Sequence, residues 1–153
     1  MKIRISTGLS VLTLAAIAAF AVAPAAEAKT YQLHFDLTGK AETPPNTTKG
    51  KGHGTASYDD QTHTLSYKIT YSGLTGDATA AHFHGPADAK TNAGVVVPVP
   101  MPASGGMMSP LKGEATLTDA QAADLAAGKW YFNIHTAANK GGEIRGQVMK
   151  GGM

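Results

Sequence analysis

The stretch AHFHG at Ala81 to Gly85 decides how the chain is read, with YFNIHT at Tyr131 to Thr136 and GGEIRGQV at Gly141 to Val148 as its partners. Successive side chains of a strand point to opposite faces, so His82 and His84 share one face of AHFHG while Ala81 and Phe83 share the other. The same count puts Trp130, Phe132 and Ile134 on one face of the second stretch and Tyr131, Asn133 and His135 on the opposite one. In the third, Ile144, Gly146 and Val148 face one way and Glu143, Arg145 and Gln147 the other. If the apolar faces meet in one core, the polar faces of neighbouring strands bring His82, His84, His135, Glu143 and Arg145 together.

Working outward, YQLHFDLTG from Tyr31 alternates Tyr31, Leu33, Phe35 and Leu37 against Gln32, His34, Asp36 and Thr38, the pattern of a half-buried strand. The segment around Pro44-Pro45 and Asn46 reads as a loop, because proline cannot donate to a ladder. GTASYDD and THTLSYKITYSGL predict a hairpin that turns at Asp59-Asp60-Gln61. VVVPV after Gly94 and GEATLT after Lys112 add two more short strands, separated by a Met, Pro and Gly segment. The one helix signal is Thr118 as N-cap, Gln121 completing a capping box and Gly128 as the stop, which predicts a helix around 118–127. Such a helix has too few turns to persist alone and must dock on the sheet. The fold class is therefore all-β: an antiparallel β-sandwich or flattened barrel of about eight short strands with one short helix.

The N-terminus is read separately. Lys2 and Arg4 precede an apolar run from Val11 to Val22, and Ala26-Glu27-Ala28 is a small-x-small cleavage site. This predicts residues 1–28 as a cleaved signal peptide, 29–153 as a single domain, and an exported protein, periplasmic or extracellular. No later segment is apolar enough to span a membrane. The formal net charge of +2 from 13 basic and 11 acidic residues gives no electrostatic case for nucleic acid. There is no cysteine, so disulfides, thiolate ligands and thiolate catalysis are excluded.

The order AETPP, TLSYKITYSGLTG, TAAHFHGPA, VVVPV and LAAGKWYFNIHTAANKGGEIRGQV resembles the chordin-type domain, CHRD, from about Leu37 to Val148. AHFHGPA and the NIHT…GGEIRGQ ending are its most specific pieces. The chain departs from the family pattern at Glu42-Thr43-Pro44-Pro45, where Glu-Val-Pro-Pro is usual, and at Ala93-Gly94, where a glycine-proline pair is usual; both lie in loops. The resemblance implies a secreted β-sandwich module, found singly in bacterial proteins and repeated in chordin, an antagonist of growth-factor signalling. It implies no activity, and growth-factor binding is not carried over to a single exported domain.

The constellation itself points to a metal. His-x-His on one strand with a third histidine on another suits copper or zinc, since neutral imidazoles bind these ions and a sheet fixes their separation. The expected ligands are His82, His84, His135 and Glu143, with Glu143 either coordinating or orienting a ring N–H. Read without metal, the same residues tie sheet ends together by hydrogen bonds, and an outer surface binds an extracellular protein or polysaccharide. Arg145 is expected to clamp a loop carboxylate or carbonyls, with Glu42 as a partner. His34, His53 and His63 are expected to be exposed, though His34 shares a face with Asp36. Met101, Met107 and Met108 are expected as loop packing residues rather than a thioether site. No nucleophile elbow or phosphate loop is present, so binding rather than catalysis is expected; a superoxide-dismutase-like redox site is the enzymatic alternative, lacking that enzyme's fuller histidine set.

Overall fold

The computed structural model describes residues 29–151; the expected signal peptide at residues 1–28 lies outside them. Nine strands form in chain order: β1 (Thr30–Thr38), β2 (Lys51–Asp59), β3 (Thr64–Ser72), β4 (Ala78–His84), β5 (Val95–Pro98), β6 (Leu111–Thr116), β7 (Tyr131–Thr136), β8 (Ile144–Gln147) and the two-residue β9 (Met149–Lys150). One helix, α1 (Asp119–Ala126), precedes β7, and a 3-10 turn at Gly39–Ala41 follows β1. Eight strands make one continuous sheet in the order β5-β4-β7-β8-β1-β2-β3-β6, with β9 paired to β1. Every pairing is antiparallel. Of the two expected forms, the chain thus takes the barrel: a nearly closed single sheet rather than two stacked ones.

The alternation seen in the sequence is what curls this sheet around a core. Leu33, Phe35 and Leu37 of β1, Leu65, Tyr67 and Ile69 of β3, Ala81 and Phe83 of β4, and Phe132 and Ile134 of β7 are all buried. Phe83 meets Phe132 edge-on with ring centroids 4.7 Å apart and Tyr67 at 5.3 Å. Each such ring contributes about 1.5–3 kcal/mol through burial alone, with no disulfide available to supplement it. Gly54 lies opposite Phe35 in the β1–β2 register, and a Cβ there would overlap the Phe35 ring. A glycine is required because the ring occupies the space a side chain would take.

The helix starts and stops where its signals place it. Thr118 Oγ1 accepts from the Gln121 amide at 3.3 Å and Gln121 Oε1 accepts from the Thr118 amide at 2.9 Å, closing the capping box. Gly128 ends the helix with φ +71°. Leu125 is its buried anchor on the barrel. No described helix is long and apolar enough to cross a membrane.

The apolar side of β4, β7 and β8 faces the core, so their other side carries the polar residues. Two connections reach that side: Glu42 and Thr43 just after the 3-10 turn, and the loop from Gly85 to Gly94. The Asn92 amide donates to the Thr43 carbonyl at 3.0 Å and joins the two.

Candidate functional site

Strand pairing brings the three imidazoles together. His82 lies opposite Asn133, His84 opposite Tyr131 and His135 opposite Ala80 in the β4–β7 register. His82 Nδ1 is 3.1 Å from His135 Nε2, and ring centroids are 5.0 Å apart for His82–His135 and 5.5 Å for His82–His84. One ligand atom from each histidine lies within 4.8 Å of the other two. His84 forms the buried base, at 8% exposure, and His82 and His135 the half-buried rim.

Hydrogen bonds assign the ring nitrogens. His135 Nδ1 donates to the Lys140 carbonyl at 2.9 Å, which leaves Nε2 as the lone-pair atom facing His82. His84 is held from both sides: Nδ1 meets the Ala93 carbonyl at 3.0 Å and Nε2 meets Asn133 Oδ1 at 3.0 Å. Burial, then the neighbouring His135 and His84, push His82 down to about 4. Burial also lowers His135, against the hydrogen bond to Lys140 and with His84. The rim imidazoles are therefore neutral at ordinary pH, the form that binds metal.

Behind the histidines stands a stack that the strand count alone does not reveal. The Tyr131 ring lies parallel to His84, centroids 4.8 Å apart at 1°, and the Arg145 guanidinium carbon sits 3.4 Å from the Tyr131 centroid. Arg145 clamps the Gly85–Gly94 loop: its terminal nitrogens donate to the carbonyls of Asp88 and Thr91 at 3.2 and 2.7 Å and to Asn92 Oδ1 at 2.9 Å. The expected clamp on carbonyls is what forms. Glu42 is close enough for the Arg145 charge to act on it, yet among the described residues the two make no ion pair within 4 Å.

Glu143 is not brought to the imidazoles, and its expected place in the ligand set is corrected here. It precedes β8, after Gly142 at φ +135°, and its carboxylate plugs one end of the barrel. Oε1 accepts from Thr48 Oγ1 at 2.5 Å and the Thr75 amide at 2.8 Å; Oε2 accepts from Thr75 Oγ1 and Thr136 Oγ1, each at 2.7 Å, and Asn139 Nδ2 at 3.1 Å. Thr136 lies on the core-facing side of β7, opposite to His135. Burial would raise the carboxyl, but hydrogen bonds from Thr48, Thr75 and Thr136 outweigh it and hold the group at about 2. Strand alternation failed at this residue because it belongs to the turn.

Glu42 has the opposite character. It is 5% exposed, its Oε1 has no hydrogen-bond partner, and burial raises it to about 7 against the pull of Arg145, Thr43 and Asn133. A Cβ on Gly142 would overlap its carboxyl and crowd the Asn133 amide. Asn133 and Tyr131 were not among the expected site residues, and Glu42 was expected only as a partner of Arg145. Alternation already placed the first two on the His135 face; the burial of Glu42 depends on a loop fold that no local pattern encodes.

The remaining candidates separate. Asp36 pairs with His53 on β2 at 2.7 Å rather than with His34, and His63 lies 3.4 Å from Asp119. Met107 is buried in the core, whereas Met101 and Met108 are exposed, so the three thioethers do not gather.

A model of the CHRD domain family matches residues 33–148. No curated protein and no solved structure gives a significant match.

Proposed function

This chain belongs to the CHRD domain family, and from that premise we propose that it is an exported binding module, periplasmic or extracellular, that takes up one copper or zinc ion through His82, His84 and His135. The observation that carries the reading is the mutual approach of three imidazole ligand atoms within 4.8 Å on two adjacent strands. A tetrahedral ion with Zn–N distances of 2.0–2.1 Å separates its ligand nitrogens by about 3.3 Å. The 3.1 Å between His82 Nδ1 and His135 Nε2 is already near that value, and His82 becomes a ligand there when the proton Nδ1 donates to His135 shifts to its other ring nitrogen. The Lys140 carbonyl presets the His135 tautomer, as a fixing partner does in metal sites.

His84 enters at a cost. Coordination through Nε2 requires the Asn133 amide to swing away and lose a hydrogen bond worth about 1 kcal/mol. That cost is small beside the gain from a third imidazole ligand. The role is binding rather than catalysis, and Glu143 acts as a structural plug.

The double engagement of His84, with the Arg145 clamp beside it, supports a second reading. In it the polar layer only locks the loops onto the barrel, and an outer surface binds an extracellular protein or polysaccharide. Metal analysis separates the two. The purified protein is equilibrated with copper or zinc, gel-filtered and assayed by mass spectrometry beside His135→Ala and the double variant His82→Ala/His84→Ala. Near-stoichiometric metal in the wild type, lost in both variants while their circular dichroism is retained, supports the imidazole site. Metal absent from all three proteins, or retained equally, leaves the loop lock as the reading.

A further inference from the structure

Resting on the metal reading above, we propose that the ion held by His82, His84 and His135 keeps one coordination position open and takes a small anion there. The first support is the ligand count. Among the described residues the cluster contains three ligating side chains and no fourth. Glu143, the carboxylate nearest in sequence to His135, has both oxygens occupied at the barrel end. Copper and zinc held by three protein ligands complete their shell from outside, the arrangement that distinguishes open sites from closed structural ones.

The second support is charge. All three ligand side chains are imidazoles, which bring no negative charge to an ion, so a divalent cation bound by them would retain its full +2. The nearest fixed charge around the stack is also positive: the Arg145 guanidinium covers Tyr131, which lies flat against His84. Glu143 does not offset it, because both its oxygens are engaged at the barrel end. A bound cation with no compensating anion in its ligand set attracts one from solution. The position is accessible, since His84 is the buried base and His82 and His135 form the half-buried outer rim. The occupant is therefore a compact anionic donor such as azide, a halide or a small carboxylate.

The test uses cobalt(II), whose visible absorption reports coordination directly, with azide as the anion. The protein is titrated with cobalt to saturation and azide is then added. The expected result is a cobalt band that appears at one equivalent and shifts saturably with azide, both effects being absent in His82→Ala/His84→Ala. A stoichiometric cobalt band unchanged by azide would show a closed shell and overturn this inference while leaving the metal reading intact. An equal azide response in the variant would assign it to adventitious cobalt and overturn the inference too. Failure to bind cobalt, copper or zinc at all removes the metal reading and this inference with it.

Discussion

Glu42→Gln removes the one buried carboxyl among the described residues whose ionisation the fold pushes up to about 7, and its effect on stability depends on pH in a way the structure specifies. Burial raises this group from 4.5 to about 7. Its side chain is 5% exposed with an unpartnered oxygen, so solvent screens it little. At about 1.36 kcal/mol per pH unit, the native state prefers the neutral carboxyl by about 3 kcal/mol. The sign follows from proton counts: between 4.5 and 7 the native chain keeps a proton that the unfolded chain has released. Stability from this group is therefore fully present below 4.5 and is lost as pH rises through 7. Glutamine has the shape of the neutral acid but does not ionise. In urea unfolding followed by circular dichroism from pH 4.5 to 8.5, the variant should gain on the wild type by up to about 3 kcal/mol across that window. His82, lowered to about 4, works the other way, because the unfolded chain takes up its proton first as pH falls below 6.5. It is common to both proteins and cancels in their difference. A difference that stays constant with pH would mean that Glu42 ionises normally in the folded protein, and the burial argument would be wrong.

Two further predictions concern the barrel end and the loop clamp. Glu143→Gln leaves five donors facing one amide oxygen and one NH2 group that cannot accept from them and should cost about 2–4 kcal/mol at pH 7 in urea melts. Because Glu143 is held at about 2, the wild type loses stability as pH falls from 4.5 towards 2, and this acid limb should flatten in the variant. Arg145→Lys cannot reproduce the forked contacts to Asp88, Thr91 and Asn92 or the stacking on Tyr131. It should cost about 2–3 kcal/mol, with amide exchange rising in Gly85 to Gly94 before the core strands respond; uniform exchange across the barrel would refute the clamp.

The chain announced its strands through period-two patterning, its helix through Thr118, Gln121 and Gly128, and its imidazole cluster through His-x-His paired with His135. Each of these signals is local or needs only the assumption that neighbouring strands pair. The partner of Asp36 was not legible, since His34 lies on the same strand while His53 arrives from β2 through the hairpin register. Nor were the methionines: their sequence proximity said nothing of Met107 turning into the core while Met108 stays in solvent.

By itself the sequence determined an all-β chain with an alternating core face and a polar face carrying three histidines, because side-chain direction in a strand follows residue parity. Tertiary structure alone decided that one sheet curls into a nearly closed barrel and that two loops reach its polar face. It alone gave Glu42 and Glu143 opposite chemistry. Those outcomes depend on turns and long-range contacts: Gly142 breaks the parity that would have aimed Glu143 at the histidines, and threonines from distant loops then supply the hydrogen bonds that hold its charge.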